Sequence, residues 1–384
     1  MIKKEVNEIR KQFNDKNCAI TRICGCYVDG EKQKKLEFKE AFLSLPEEER
    51  FKYYELFRKT LGGTVGRNLL NLNFPMKEEA EGGTQEFLYR LRESKLTDTE
   101  LIGEFYDKII EHYEAPGNFL ILLIHSVYDV PGKTSDGLEM DDASDEVFEH
   151  ILCSICPVTL SKPGLSYNAE ENSIHNRVQD WIVDKPEKGF LFPAFNERST
   201  DIHATLYFSK DPNELMLSFV DSFLGCGLPL PANSQKETFQ ALIANTLGEN
   251  CEYEVVKNIH ERLNEMIEEH KDFPEPLTLS KPQVKDLLYE SGLEDERLEN
   301  FDHTYDMTVA KEDTELLAIN VANTRSFEVK TPNVVIKVDP EFSYLVNTQM
   351  IDGRRFLVIE MGDNVEVNGI ALNYTGNYDE DVEE

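Results

Sequence analysis

Glu149-His150-Ile151-Leu152-Cys153-Ser154-Ile155-Cys156-Pro157, EHILCSICP, decides how the middle of this chain is built, because it can be read in two ways. In a strand, successive side chains face opposite sides, so Cys153 and Cys156 part company. In a helix, His150, Cys153 and Cys156 fall on one face and can share a metal ion. The run is short, aliphatic, free of glycine and closed by a proline, which favours the strand. The segments around it have the same texture. NFLILLIHSVYDV (118–130), GFLFPAF (189–195) and HATLYFS (203–209) are rich in aliphatic and aromatic residues and bounded by Pro, Gly or Asp. They read as buried strands.

A second pair of thiols stands in RICGCYVDG (22–30), where Cys24 and Cys26 share one face of a strand predicted from Ala19 to Val28. Cys24, Cys26, Cys153 and Cys156, with His150 in reserve, have the number and chemistry of a tetrahedral zinc site. Strand geometry splits the second pair and leaves that site short of a ligand. Core packing therefore competes with zinc at both pairs, since a free cysteine behaves as a small apolar residue. A redox role for Cys153 and Cys156 lacks the helix N-terminus that lowers a thiol pKa.

Outward from these strands the chain is expected to be α+β: a mostly antiparallel central sheet with flanking helices, plus a small C-terminal β-rich domain. Residues 1–115 form a mainly helical segment with one strand, packing on the next. Residues 116–272 hold the α+β core, 273–374 a C-terminal helix and antiparallel sheet, and 375–384 an acidic tail. Helices are expected near Ile2 to Phe13, after Pro46 up to Gly62-Gly63, and from the capping box Thr97-Asp98-Thr99-Glu100 to about Tyr113. Helices occupy about 212–271, with a second capping box at Ser234 to Glu237 within that stretch, and Ser280 with Pro282 starts another helix that Gly292 ends. Asp352-Gly353 and Asn368-Gly369 mark hairpin turns in the C-terminal sheet.

The 384 residues carry 73 acidic against 40 basic side chains, a formal net charge of -33. Such a surface repels nucleic-acid phosphates and anionic lipid, so a charge-selected protein partner is basic. The longest aliphatic run, Phe119 to Ile124, is too short to span a bilayer. No secretory signal is visible, and seven cysteines without a regular framework fit free thiols in a reducing cytoplasm.

Catalytic signatures are incomplete. Pro131-Gly132-Lys133-Thr134 follows a strand as a phosphate loop does, but Val127 stands where the first glycine belongs, and Ser135-Asp136-Gly137 and Asp141-Asp142 follow. Gly62 to Arg67 follows a helix and reads as a helix stop. The helix, glycine, helix pattern of residues 279–301 presents Glu294, Asp295, Glu296, Glu299 and Asp302 against Arg297, a surface that repels DNA. FNERSTDIH (195–203) is the densest polar cluster beside a strand. Arg198, Asp201 and His203 in it are the candidates for a hydrolytic site, with or without a metal, provided they converge in space.

NCAITRICGCYVDGEK, LRESKLTD, ILCSICPVTLSKPGLSY and GFLFPAFNERSTDIH together resemble a family of cytosolic proteins from Gram-positive bacteria known as a domain of unknown function. The resemblance extends over nearly the whole chain. It implies a bacterial, intracellular, full-length single protein and assigns no activity, cofactor or site residue. Three functional readings follow: a non-catalytic protein that binds an unknown partner through its acidic surface or C-terminal sheet, an enzyme built on Arg198, Asp201 and His203, and an acidic mimic of nucleic acid. Zinc is the one metal the sequence raises.

Overall fold

The computed structural model describes residues 1–114, 116–133, 139–248, 251–294, 298–309, 316–361, 365–367 and 369–371, with backbone alone at 133 and 139–145. The acidic tail, the segment Ser135-Asp136-Gly137 and residues 295–297 lie outside the described residues. Contacts group the chain into two units that interleave along the sequence: residues 1–240, 270–279 and 309–321 in the first, and 241–269, 280–308 and 322–384 in the second.

The first unit is built on one antiparallel sheet. Its strands in chain order are β1 (Ile20–Val28), β2 (Lys34–Ala41), β3 (Leu69–Asn73), β4 (Asn118–Lys133), β5 (Glu139–Leu160), β6 (Leu165–Asn168), β7 (Ser173–Asn176), β8 (Trp181–Val183), β9 (Lys188–Phe192), β10 (Ala194–Asn196), β11 (Ser199–Asp201) and β12 (Ala204–Ser209). The sheet runs β2-β1-β4-β5-β9-β12-β3 with β8 beside β5, while β6 with β7 and β10 with β11 form separate hairpins. EHILCSICP is thus a strand, paired to β4 as Leu123 with Cys153 and Leu120 with Cys156.

Both faces of the sheet are covered, which is why its central strands read as nearly unbroken apolar runs. Helices α1 (Lys3–Arg10) and α2 (Glu47–Thr60) cover one face, and α3 (Thr84–Glu93) and α4 (Thr99–His112) the other. Val6, Ile9, Phe13, Tyr54 and Phe57 pack with Leu122, Ile124, Leu152 and Cys156. Across the sheet Leu88, Leu91, Phe105, Tyr106 and Ile109 pack with Cys24, Cys26, Leu123, Ile151 and Cys153. The two clusters follow strict alternation along β4 and β5, so each face buries a separate set of side chains.

Some local readings change. β2 was not anticipated, because KKLEFKEA is mostly charged; it is an exposed edge, where lysines discourage further pairing. The cap of α4 is Asp98, whose carboxylate accepts from the Glu100 and Leu101 N–H groups, in place of a box closed by Thr97. The helix α5 (Ala232–Leu247) starts after Pro231, so Ser234 to Glu237 lies inside its first turns.

In the second unit α6 (Tyr253–Glu269) buries Ile259 and Leu263, and α7 (Lys281–Glu290) begins at the Ser280 capping box with Gln283. Among the described residues the C-terminal strands form no common sheet. They pair only as hairpins: Phe327–Lys330 with Val335–Val338, Val346–Ile351 with Arg354–Ile359, and Glu366–Val367 with Ile370–Ala371. Asp352 and Gly353 do turn the second hairpin, both at positive φ. Its base is tied to α6 by the Tyr253 hydroxyl, which donates to the Val346 carbonyl at 2.8 Å.

Candidate functional site

Helix α1 brings together the first part of the site. Val6 and Ile9 face the sheet, while Lys4, Asn7, Glu8 and Lys11 recur at the spacing that stacks side chains along one helix face. Ile2 N–H donates to Glu5 Oε2 at 2.8 Å and closes the helix start. Beside this face opens a cleft of about 670 Å³, lined by Lys4, Glu8, Arg10 and Lys11, by Arg58 from α2, and by Tyr128 from β4.

The charge of the cleft opposes that of the chain. Glu8 is its one lining carboxylate, and it is matched: Tyr128 Oη donates to Oε1 at 3.0 Å, and Arg198 donates from Nε at 3.2 Å and from Nη2 at 2.9 Å. Glu8 and Arg198 are both largely buried, at 17% and 19% side-chain exposure. Among the described residues no carboxylate lies within ion-pair distance of Lys4, Arg10, Lys11 or Arg58. Four cations therefore face one half-open volume without a counter-charge, in a protein of net charge -33.

Arg198 is the point where the polar cluster FNERSTDIH meets Glu8, the carboxylate that lines this cleft. It sits in the two-residue turn between β10 and β11, where Glu197 and Arg198 both take left-handed backbone angles, φ 54 and 59. Such turns favour Asn-Gly, and a side chain there costs about 1–2 kcal/mol per residue. The conformation is held by Arg198 N–H to Glu5 Oε1 at 3.3 Å and by Arg198 Nη2 to the Pro131 carbonyl at 3.1 Å.

The other two residues of the cluster turn elsewhere. Asp201 accepts from Asn196 Nδ2 at 2.6 Å and from the His203 backbone N–H at 3.0 Å. The exposed His203 ring meets Glu79 Oε1 through Nδ1 at 2.7 Å, and that hydrogen bond raises its pKa. Arg198, Asp201 and His203 thus engage three different partners, and the ring of His203 is not aimed at Asp201.

The thiols are divided as the strand requires. Cys24, Cys26 and Cys153 enter the core under α3 and α4, whereas Cys156 enters the core under α1 and α2. Burial pushes the Cys24 and Cys26 thiols up to about 12 and moves Cys153 and Cys156 upward as well. His150 lies on the Cys156 side, stacked on Phe148 at 4.6 Å, and burial lowers it to about 3. Among the described residues its Nε2 has no hydrogen-bond partner. Among the described residues no three His, Cys, Asp or Glu side chains gather as a metal-binding group.

Lys4, Glu8, Lys11, Arg58 and Tyr128 were absent from the sequence-based candidates. The spacing of the α1 side chains was readable; the approach of Arg58, Tyr128 and Arg198 from distant positions was not.

No helix among the described residues is long and apolar enough to cross a membrane. No curated protein and no solved structure matches the chain. The family model described as Domain of unknown function (DUF4317) matches residues 1–370, and the chain therefore belongs to the DUF4317 family.

Proposed function

We propose that this is a cytoplasmic binding protein whose cleft between α1, α2 and β4 takes a multiply charged anion, of the phosphate or polycarboxylate class. The observation that carries the reading is the set of four cations, Lys4, Arg10, Lys11 and Arg58, with no acidic partner among the described residues. Elsewhere on the surface Lys34, Lys35, Arg50, Arg262 and Lys281 are each ion-paired with a carboxylate. Cations left unmatched around one concave volume provide charge for a ligand, and the walls around them lower the effective dielectric relative to open solvent. Seven free thiols, five of them buried, support a reducing compartment.

Calorimetric titration of the full chain with inorganic pyrophosphate tests the reading. Saturable binding that weakens with added salt and with Lys11→Glu supports it; the absence of saturable binding at low salt overturns it.

A specific observation also favours a protein partner. On the hairpin of Val346–Ile351 with Arg354–Ile359, the exposed residues Met350, Ile351, Phe356 and Ile359 leave apolar surface on both faces. A two-stranded hairpin with apolar surface on both sides gains stability by pairing with something else. Solution scattering with Met350→Lys/Phe356→Lys separates this reading from the first. It requires wild-type association that the double variant abolishes, with pyrophosphate binding unchanged.

A further inference from the structure

Another set of polar side chains meets where β1, β4 and β5 run side by side, and it shares no residue with the cleft. β1 and β4 stay in register from Val28 opposite Phe119 to Arg22 opposite His125, then skip one residue so that Ile20 faces Ser126. Thr21 is the extra residue of this bulge and has no register partner on β4 or on β2. A bulge re-aims a side chain, and such irregularities are over-represented beside active sites.

The re-aimed hydroxyl meets a buried base. Thr21 Oγ1 lies 2.7 Å from His125 Nδ1, its shorter contact, and 3.2 Å from the His125 carbonyl. His125 Nε2 lies 2.7 Å from Glu149 Oε1. The imidazole is fully buried, Glu149 is partly exposed, and Thr21 is open to solvent. An ionised carboxylate only accepts, so Nε2 carries the ring proton and Nδ1 is bare toward the hydroxyl. Burial lowers the pKa of His125 against the opposing effect of Glu149, and Lys95 and Arg92 lower it further, so the ring is a neutral base near neutral pH. Lys95 Nζ stands 3.8 Å from Glu149, and Lys95 and Leu96 both hold left-handed angles, φ 51 and 55. Backbone strain of that kind clusters at functional sites.

We propose that Thr21 is a nucleophile that accepts an acyl group from an activated ester, with His125 as its base and Glu149 as the residue that positions the imidazole. In the step, the Thr21 Oγ to acyl carbon bond forms and the bond from that carbon to the leaving oxygen breaks. The hydroxyl proton passes to His125 Nδ1 and from there to solvent or the leaving group. No oxidant, reductant or metal takes part. The solvent-exposed position of Thr21 is what a purely structural buried-histidine network would not need.

The test uses the full chain with p-nitrophenyl acetate as the acyl donor, read by nitrophenolate release and by peptide mapping of the acetylated protein. The expected result is one acetyl group on Thr21, absent in Thr21→Val, and formed about 100-fold more slowly in His125→Gln. Its rate should stay level as pH falls through 6.5 and drop only below it, because burial, helped by Lys95 and Arg92 and opposed by Glu149, holds His125 under that value. If His125→Gln does not fold, Glu149→Gln, changed at the partly exposed end, carries the same expectation of slower acetylation at Thr21. No acetyl group at Thr21, or a Thr21 rate that neither variant changes, overturns the proposal.

Discussion

Glu8 and Arg198 form one ion pair, yet only Glu8 lines the cleft, so replacing each by glutamine should act on binding with opposite signs. Glu8→Gln keeps an oxygen for Tyr128 and Arg198 but removes the one carboxylate charge that lines the cleft. Arg198→Gln removes the donors at 3.2 and 2.9 Å and leaves the Glu8 charge without its counter-ion in the path of an anion. One unit of charge at the wall of a half-open cleft, discounted for solvent screening, is worth about 1 kcal/mol, or about fivefold in affinity. Glu8→Gln should therefore tighten pyrophosphate binding about fivefold and Arg198→Gln weaken it about fivefold. Stability should move in one direction only. Both variants replace a largely buried ion pair by weaker contacts, at a cost of about 2 kcal/mol, which lowers Tm by about 5 °C for a unit of this size. Calorimetric titration and thermal unfolding on the same samples separate the two quantities. Affinity changes of the same sign in both variants would refute the electrostatic reasoning, because a general loosening of the fold acts alike on each.

Further outcomes follow from the packing and the buried titratable groups. A thiol reagent applied to native protein should modify Cys251 quickly and Cys18 slowly, leaving Cys24, Cys26, Cys153, Cys156 and Cys226 unreacted until unfolding; mass mapping checks this. Gly189→Ala should destabilise the fold by about 2 kcal/mol in urea titration, since a Cβ there would stand 2.5 Å from both the Cys153 carbonyl oxygen and Thr60 Cγ2. His150 has its folded-state pKa lowered from 6.5 to about 3, so as pH falls below 6.5 the unfolded chain takes up a proton that the folded one refuses. Stability should then drop by about 1.4 kcal/mol per pH unit across that window, and His150→Leu should flatten the slope of the urea midpoint against pH.

What the sequence disclosed was local and periodic. EHILCSICP could be read as a strand from its length and composition, and with it the separation of Cys153 from Cys156. Turn and cap chemistry was also legible at Asp352-Gly353 and Ser280, where one or two residue types fix the backbone. Where charge masked the pattern, as in KKLEFKEA, the edge strand was missed. The C-terminal runs carried the right turn signals, but periodicity does not say which hairpins join, and these pair only with themselves. The cleft was hidden for a different reason. Its charge balance depends on Arg198 reaching Glu8 across 190 positions. Thr21 was hidden because a bulge breaks the alternation by which strand faces are read.

The central claim is that the four unmatched cations form one anion site. It is tested most directly by calorimetric titration of pyrophosphate into the wild-type chain and into Lys11→Glu/Arg58→Glu. Each charge reversal changes two units of charge and should cost about 2 kcal/mol, so the account predicts one site per wild-type chain and about 1000-fold weaker binding in the double variant. Equal affinity in the two proteins, with both folded, would contradict it.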